Sequence, residues 1–208
     1  LHFVNCMLAL AIPDPNDLNP EEMDEYQLAN RFDNFGVEGN RFDTFGVEDI
    51  ELLSKGFETS SSLKILRLKE CNISDVSLSA LLGNMTGTLE KLNVCGNDGG
   101  TGAIRAIAGL VEFTNLSSLD ISMQQFTFDV SPIALALTTN TTLKELNLRS
   151  INMEDKALLA LATVLQSNQT LETLSLRECG IKNSGLASLC APLPNWSGLK
   201  KLDLRCNE

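Results

Sequence analysis

Histidine is nearly absent: the single imidazole is His2, at the start of the chain, so nucleophilic catalysis of the Ser-His or Cys-His kind lacks its base. Six cysteines are present (Cys6, Cys71, Cys95, Cys179, Cys190 and Cys206), none in a Cys-x-x-Cys pair. That removes zinc-ribbon and thioredoxin-type chemistry, and six in a chain this long argue for reduced thiols over a disulfide framework. Long apolar runs are missing too. The longest, Cys6 to Ile12, falls far short of the roughly 18 residues a spanning helix needs. It has the size of a signal-peptide core, but no charged segment precedes it. Positive charge is not in excess: the net charge is -11, so no nucleic-acid footprint is expected. We expect no catalytic residue, no cofactor and no metal site.

What is present is apolar material, 43% of 208 residues, enough for one compact domain or a short repeat array. The acidity is local. Residues 1 to 60 carry 13 acidic and 3 basic residues, whereas residues 61 to 208 carry 14 and 13. Because the first residue is Leu1 and not Met, the chain is expected to be part of a longer protein.

Self-comparison finds a recurring pattern, Leu-x-x-Leu-x-Leu-x-x-Asn/Cys-x-Leu. Its clearest copy is Leu63, Leu66, Leu68, Cys71, Ile73. Leu89, Leu92, Val94, Asn97 follow, then Leu116, Leu119, Ile121 with Gln124 and Phe126, and then Leu143, Leu146, Leu148, Ile151, Met153. Leu171, Leu174, Leu176, Cys179, Ile181 make a fifth copy, and Leu199, Leu202, Leu204, Asn207 begin a sixth. The leading leucines lie 26, 27, 27, 28 and 28 residues apart. Between motifs run segments with helical apolar spacing, such as Ala157 to Leu165 after the acidic pair Glu154-Asp155, so each unit reads as strand, turn, helix, loop. One unit cannot bury its apolar face alone, so neighbours must stack. Strands sit about 4.8 Å apart and helices need about 10 Å; the array therefore curves with its sheet inside.

Segments such as Leu146-Asn147-Leu148-Arg149, Asn168-Gln169-Thr170-Leu171 and Leu202-Asp203-Leu204-Arg205 resemble the ribonuclease-inhibitor-like leucine-rich repeats of NOD-like receptors and the Ran GTPase-activating protein. The resemblance implies an α/β leucine-rich-repeat solenoid, a horseshoe with a parallel sheet on the concave face and helices on the convex face, over residues 45–208. Gln124 and Ile151 depart from the pattern, standing where Asn or Cys usually satisfies buried backbone in the turn.

Residues 1–44 are expected to hold a degenerate or partial repeat with an acidic loop and an insertion. Asn30 to Glu38 recurs as Asn40 to Glu48, identical at eight of nine positions, as a recent tandem duplication would leave it. Phe45 precedes Leu63 by 18 residues, as Met153 precedes Leu171, which makes Val47 to Phe57 a helix and the first copy a surface loop. Leu1, Phe3, Cys6 and Leu8 match the end of the motif, as in a truncated strand. Pro13, Pro15, Pro20 and the acids from Glu21 to Glu25 read as a solvated connection.

The turn from Gly96 to Gly102 follows a strand and precedes a helix, but Arg105 stands where a dinucleotide fingerprint wants Gly or Ala and no Gly-Lys-Ser/Thr occurs. Sequons begin at Asn72, Asn84, Asn115, Asn140, Asn168 and Asn195. Those at 115, 140, 168 and 195 fall at the loop before a motif, so the repeat itself accounts for them. Side chains alternate along a strand, and the outward residues after the third motif position are Lys69, Cys95, Ser122, Arg149, Arg177 and Arg205. Arg149, Arg177 and Arg205, with Lys69 and Lys201, are the candidate partner-binding residues, suited to an acidic protein surface. The expected function is a protein-protein recognition module of a larger cytoplasmic protein. Fold analogy alone offers a GTPase activator of the Ran-activating type; the sequons offer an extracellular receptor ectodomain, against which stand the missing cysteine caps and the repeat length.

Overall fold

The computed structural model describes residues 54–55, 63–85, 87–124, 129–191 and 198–208. Ser54 and Lys55 are helical, inside the helix expected from Val47 to Phe57. The remainder of that helix, the opening strand, the acidic connection, the duplicated segment, Phe126 and Asn195 lie outside the described residues.

Strand and helix alternate along the chain: β1 (Ile65–Arg67), α1 (Asp75–Gly83), β2 (Lys91–Asn93), α2 (Thr101–Phe113), β3 (Ser118–Asp120), α3 (Ser131–Ala136), β4 (Glu145–Asn147), α4 (Asp155–Leu165), β5 (Thr173–Ser175), α5 (Asn183–Cys190) and β6 (Lys201–Asp203). The strands form one open, parallel, six-stranded sheet in sequence order. This is the α/β leucine-rich-repeat solenoid that the leucine spacing predicts. Every strand centres on the second leucine of its motif, and Leu66, Leu92, Leu119, Leu146, Leu174 and Leu202 are register partners across the sheet. Pairing continues beyond the strands. The N–H groups of Leu68 and Glu70 donate to the carbonyls of Asn93 and Cys95, each at 2.8 Å, and the same two bonds link every following pair of repeats.

The first, second and third motif positions of the interior repeats are buried and pack against the inner faces of the helices, among them Leu78, Leu81 and Leu82 of α1 and Leu158 and Leu161 of α4. Each such side chain contributes about 2 kcal/mol of burial, shared between two neighbouring units.

Just after the strand, every repeat turns through a left-handed residue at the same motif position: Glu70, Gly96, Met123, Ser150, Glu178 and Cys206, with φ between 54° and 70°. Only Gly96 adopts this without the Cβ penalty of about 1 kcal/mol. The turn is held by the residue that follows it. Asn97 Nδ2 donates to the carbonyls of Leu68, Val94 and Cys95, and its Oδ1 accepts from the N–H groups of Cys71 and Ile73. Asn207 repeats this pattern on Leu176, Leu204, Cys179 and Ile181.

Gln124 performs part of the same task despite its departure from the motif, donating to Val94 at 2.9 Å and accepting from Gly99 N–H at 3.0 Å. The Cys179 thiol donates to the Leu148 carbonyl at 3.1 Å; burial pushes this thiol up to about 11. Ile151 is fully buried and substitutes aliphatic packing for the polar bond.

Candidate functional site

Opposite the helices the sheet forms a trough of about 360 Å³ that runs across all six strands. Alternation along each strand sends three residues per repeat toward it. The first row is Ile65, Lys91, Ser118, Glu145, Thr173 and Lys201, and the second is Arg67, Asn93, Asp120, Asn147, Ser175 and Asp203; both line the trough. The third row follows the third motif position: Lys69, Arg149, Arg177 and Arg205 form one rim, whereas Cys95 and Ser122, expected to face outward, are buried.

Four of the six second-row side chains are oriented by their own backbone. Oδ1 of Asn93, Asp120, Asn147 and Asp203 accepts the N–H two residues on, from Cys95, Ser122, Arg149 and Arg205, at 2.9 to 3.1 Å. These short polar side chains satisfy the strand end locally, and the second polar atom of Asn93, Asp120 and Asn147 is left for the trough, whereas Asp203 Oδ2 is taken by Arg205.

Of the residues nominated from sequence, only Lys201 lines the trough itself. Arg149 and Arg177 are brought together on one carboxylate. Glu178, in the left-handed turn, accepts from Arg149 Nε and Nη2 at 3.2 and 3.1 Å, from Arg177 Nε at 3.0 Å and from Ser150 Oγ at 3.0 Å. The Arg149, Ser150 and Arg177 hydrogen bonds hold the Glu178 carboxyl below its usual range. Arg205 is separate from this cluster: it grips Asp203 through Nε and Nη2 at 2.9 and 2.6 Å, and that grip holds Asp203 far below the usual carboxylate range. Lys69 pairs with Glu70 at 3.3 Å. The three-arginine ladder is therefore a pair plus a single side chain, each with an internal counter-charge.

Two residues that the leucine pattern alone does not single out occupy the middle of the trough. Asp120 on β3 and Glu145 on β4 both line it. Glu145 Oε2 accepts from Ser118 Oγ at 3.1 Å, and neither carboxylate forms an ion pair with a described residue. The alternation that nominated Arg149 also points these two outward; the signal lay in the rows before the third leucine.

Most N–H groups of the glycine-rich turn are already engaged. Gly100, Gly102 and Ala103 donate to the Asp75 carboxylate at 2.8, 3.1 and 2.7 Å, and Gly99 donates to Gln124. Among the described residues no group of His, Cys, Asp or Glu is placed to hold a metal ion, and no described helix is long and apolar enough to cross a membrane.

Three windows, residues 59–82, 139–162 and 167–190, match the family described as Leucine Rich repeat. No curated protein matches the sequence. Among solved structures the fold is similar to Leiomodin-1 Actin-Binding Site 2, with a TM-score of 0.55 and 16% identity over 72% of this chain and 89% of that one. At that identity the likeness is one of fold.

Proposed function

We propose that this chain is a protein-recognition module whose partner lies along the sheet trough. The observation that carries the reading is the trough itself, in which four polar side chains of the second row, those of Asn93, Asp120, Asn147 and Asp203, are already fixed by the backbone. Groups oriented before binding lose little entropy when a partner arrives. The leucine-rich repeats supply an extended curved surface of the kind that suits macromolecular partners, and the leiomodin domain of similar fold is an actin-binding site.

Lys201, in the trough, and the rim residues Lys69, Arg149, Arg177 and Arg205 are the proposed contacts for acidic groups of that partner. Lys201 meets such a group directly. The rim arginines join by exchanging Glu178 or Asp203 for a carboxylate of the partner, a swap that fixes orientation more than it adds affinity.

Affinity capture with the full-length protein tests the reading. Ser175→Trp places a bulky ring in the trough on β5, at a residue whose side chain makes no hydrogen bond in the structure; Arg105→Glu alters an exposed position on α2. Partners are expected to be lost with the first change and kept with the second. The converse result removes the trough as the binding face.

A further inference from the structure

The outward positions on the six strands and just after them decide which charges a partner meets. Most are spoken for: Lys69 by Glu70, Arg149 and Arg177 by Glu178, and Arg205 by Asp203. Arg67 and Lys91 are engaged as well. Three charged side chains in the trough form no ion pair with a described residue: Asp120, Glu145 and Lys201. Two acids sit together in the middle and one base sits at the β6 end.

From this asymmetry, and resting on the trough as the binding face, we propose that the partner is a protein segment laid across the strands with two opposite charges. A Lys or Arg side chain of that segment enters between Asp120 and Glu145, and an acidic side chain of the same segment reaches Lys201. The register supports one cation meeting both acids. Asp120 pairs with Asn147, and Glu145 with Ser118, so the acids are diagonal neighbours on β3 and β4, with Cα atoms about 8 Å apart. A guanidinium or ammonium between them is within reach of both carboxylates. One oxygen of each is already oriented, by Ser122 N–H and Ser118 Oγ respectively, which leaves Asp120 Oδ2 and Glu145 Oε1 for the incoming cation. The amide nitrogens of Asn93 and Asn147, in the same row as Asp120, give the flanking floor neutral donors.

Spacing sets the grammar of the partner. Lys201 is two and a half strand intervals from the acid pair, about 12 Å. Side chains that far apart are three or four residues apart in an extended segment, or about eight in a helix. A segment that is acidic throughout meets repulsion at the centre, and one that is basic throughout leaves Lys201 unanswered.

Panning a display library of random dodecapeptides against the intact chain, with EDTA present, tests this. Enriched peptides are expected to carry Lys or Arg with Asp or Glu at one of those spacings, to be blocked by Ser175→Trp, and to bind about tenfold more weakly to the Asp120→Asn/Glu145→Gln chain. Asp120→Lys/Glu145→Lys should select peptides with acids at both points. The asparagine and glutamine variants keep the internal hydrogen-bond acceptors, and their melting curves report whether the fold persists. Peptides blocked by Ser175→Trp yet indifferent to Asp120→Asn/Glu145→Gln overturn the charge pattern and leave the trough standing. Enriched peptides indifferent to both changes, or no enriched peptide at all, overturn both.

Discussion

The carboxylate of Asp75, in the first turn of α1, accepts the N–H of Ala103, in the first turn of α2, at 2.7 Å. With Gly100 and Gly102 also donating to it, one side chain caps the helix of the next repeat, whose own N-cap, Gly100, has no side chain to offer. Anionic groups are stabilising at helix N-termini. Burial raises the Asp75 pKa, but the three backbone N–H bonds outweigh it and the net shift is downward from 3.8.

Asp75→Ala should therefore destabilise the fold by about 1 to 2 kcal/mol, as loss of an N-cap does. The folded-state pKa lies below the unfolded one, so the stabilisation is present above pH 3.8 and is lost as pH falls through the folded value. Denaturant titrations of both proteins across the acid range check this. A gap between them that is independent of pH would mean the carboxylate charge is not the cause.

Asn97 makes five hydrogen bonds to backbone and Gln124 makes two. Replacing each with Leu leaves buried backbone groups unpaired in proportion. Asn97→Leu should cost about 3 kcal/mol and Gln124→Leu about half of that, measured by urea unfolding. Equal losses would show that side-chain volume, and not hydrogen bonding, governs this position.

The leucine ladder was legible because its period is fixed by geometry: every unit must present the same faces to its neighbours, and the second leucines do align in register from Leu66 to Leu202. Gln124 shows the limit. By residue type it breaks the motif, yet its longer side chain still reaches Val94. The rim arginines show another. Their exposure follows from alternation, but Glu178 meets Arg149 only because its own backbone is left-handed, and no local sequence preference announces that in a glutamate. Asp75 was hidden for a different reason, since its partners lie 25 to 28 residues away in the next unit.

Two glycines should respond oppositely to alanine. A Cβ at Gly109, within α2, meets nothing within 4 Å, so Gly109→Ala should stabilise the protein by about 0.5 to 1 kcal/mol through helix propensity. At Gly185 in α5 the added carbon would lie 2.6 Å from Leu158 Cδ1 and 2.9 Å from Asp155 Oδ1, and overpacking of this kind costs about 1 to 3 kcal/mol. Thermal melts of the pair test the packing of α4 against α5.

Asn140 and Asn168 are both 7% exposed, and their amide nitrogens donate to the carbonyls of Val111 and Leu137 at 2.6 and 2.7 Å. That nitrogen is the atom a glycan would occupy. Passed through a glycosylating secretory host, folded protein should carry no sugar at either residue, while Asn115, exposed, presents no such barrier. Peptide mapping by mass spectrometry reads the result, and full occupancy at Asn140 or Asn168 would contradict the fold of those loops.

Each bond that joins the units, from the Asn97 fan to the Asp75 cap, reaches one repeat along and stops. Copy number is therefore a free variable in this architecture. Excising or adding one whole period changes the span of the trough by a single strand width of about 4.8 Å without rewriting any other junction, so the length of partner engaged can be tuned separately from the chemistry that engages it.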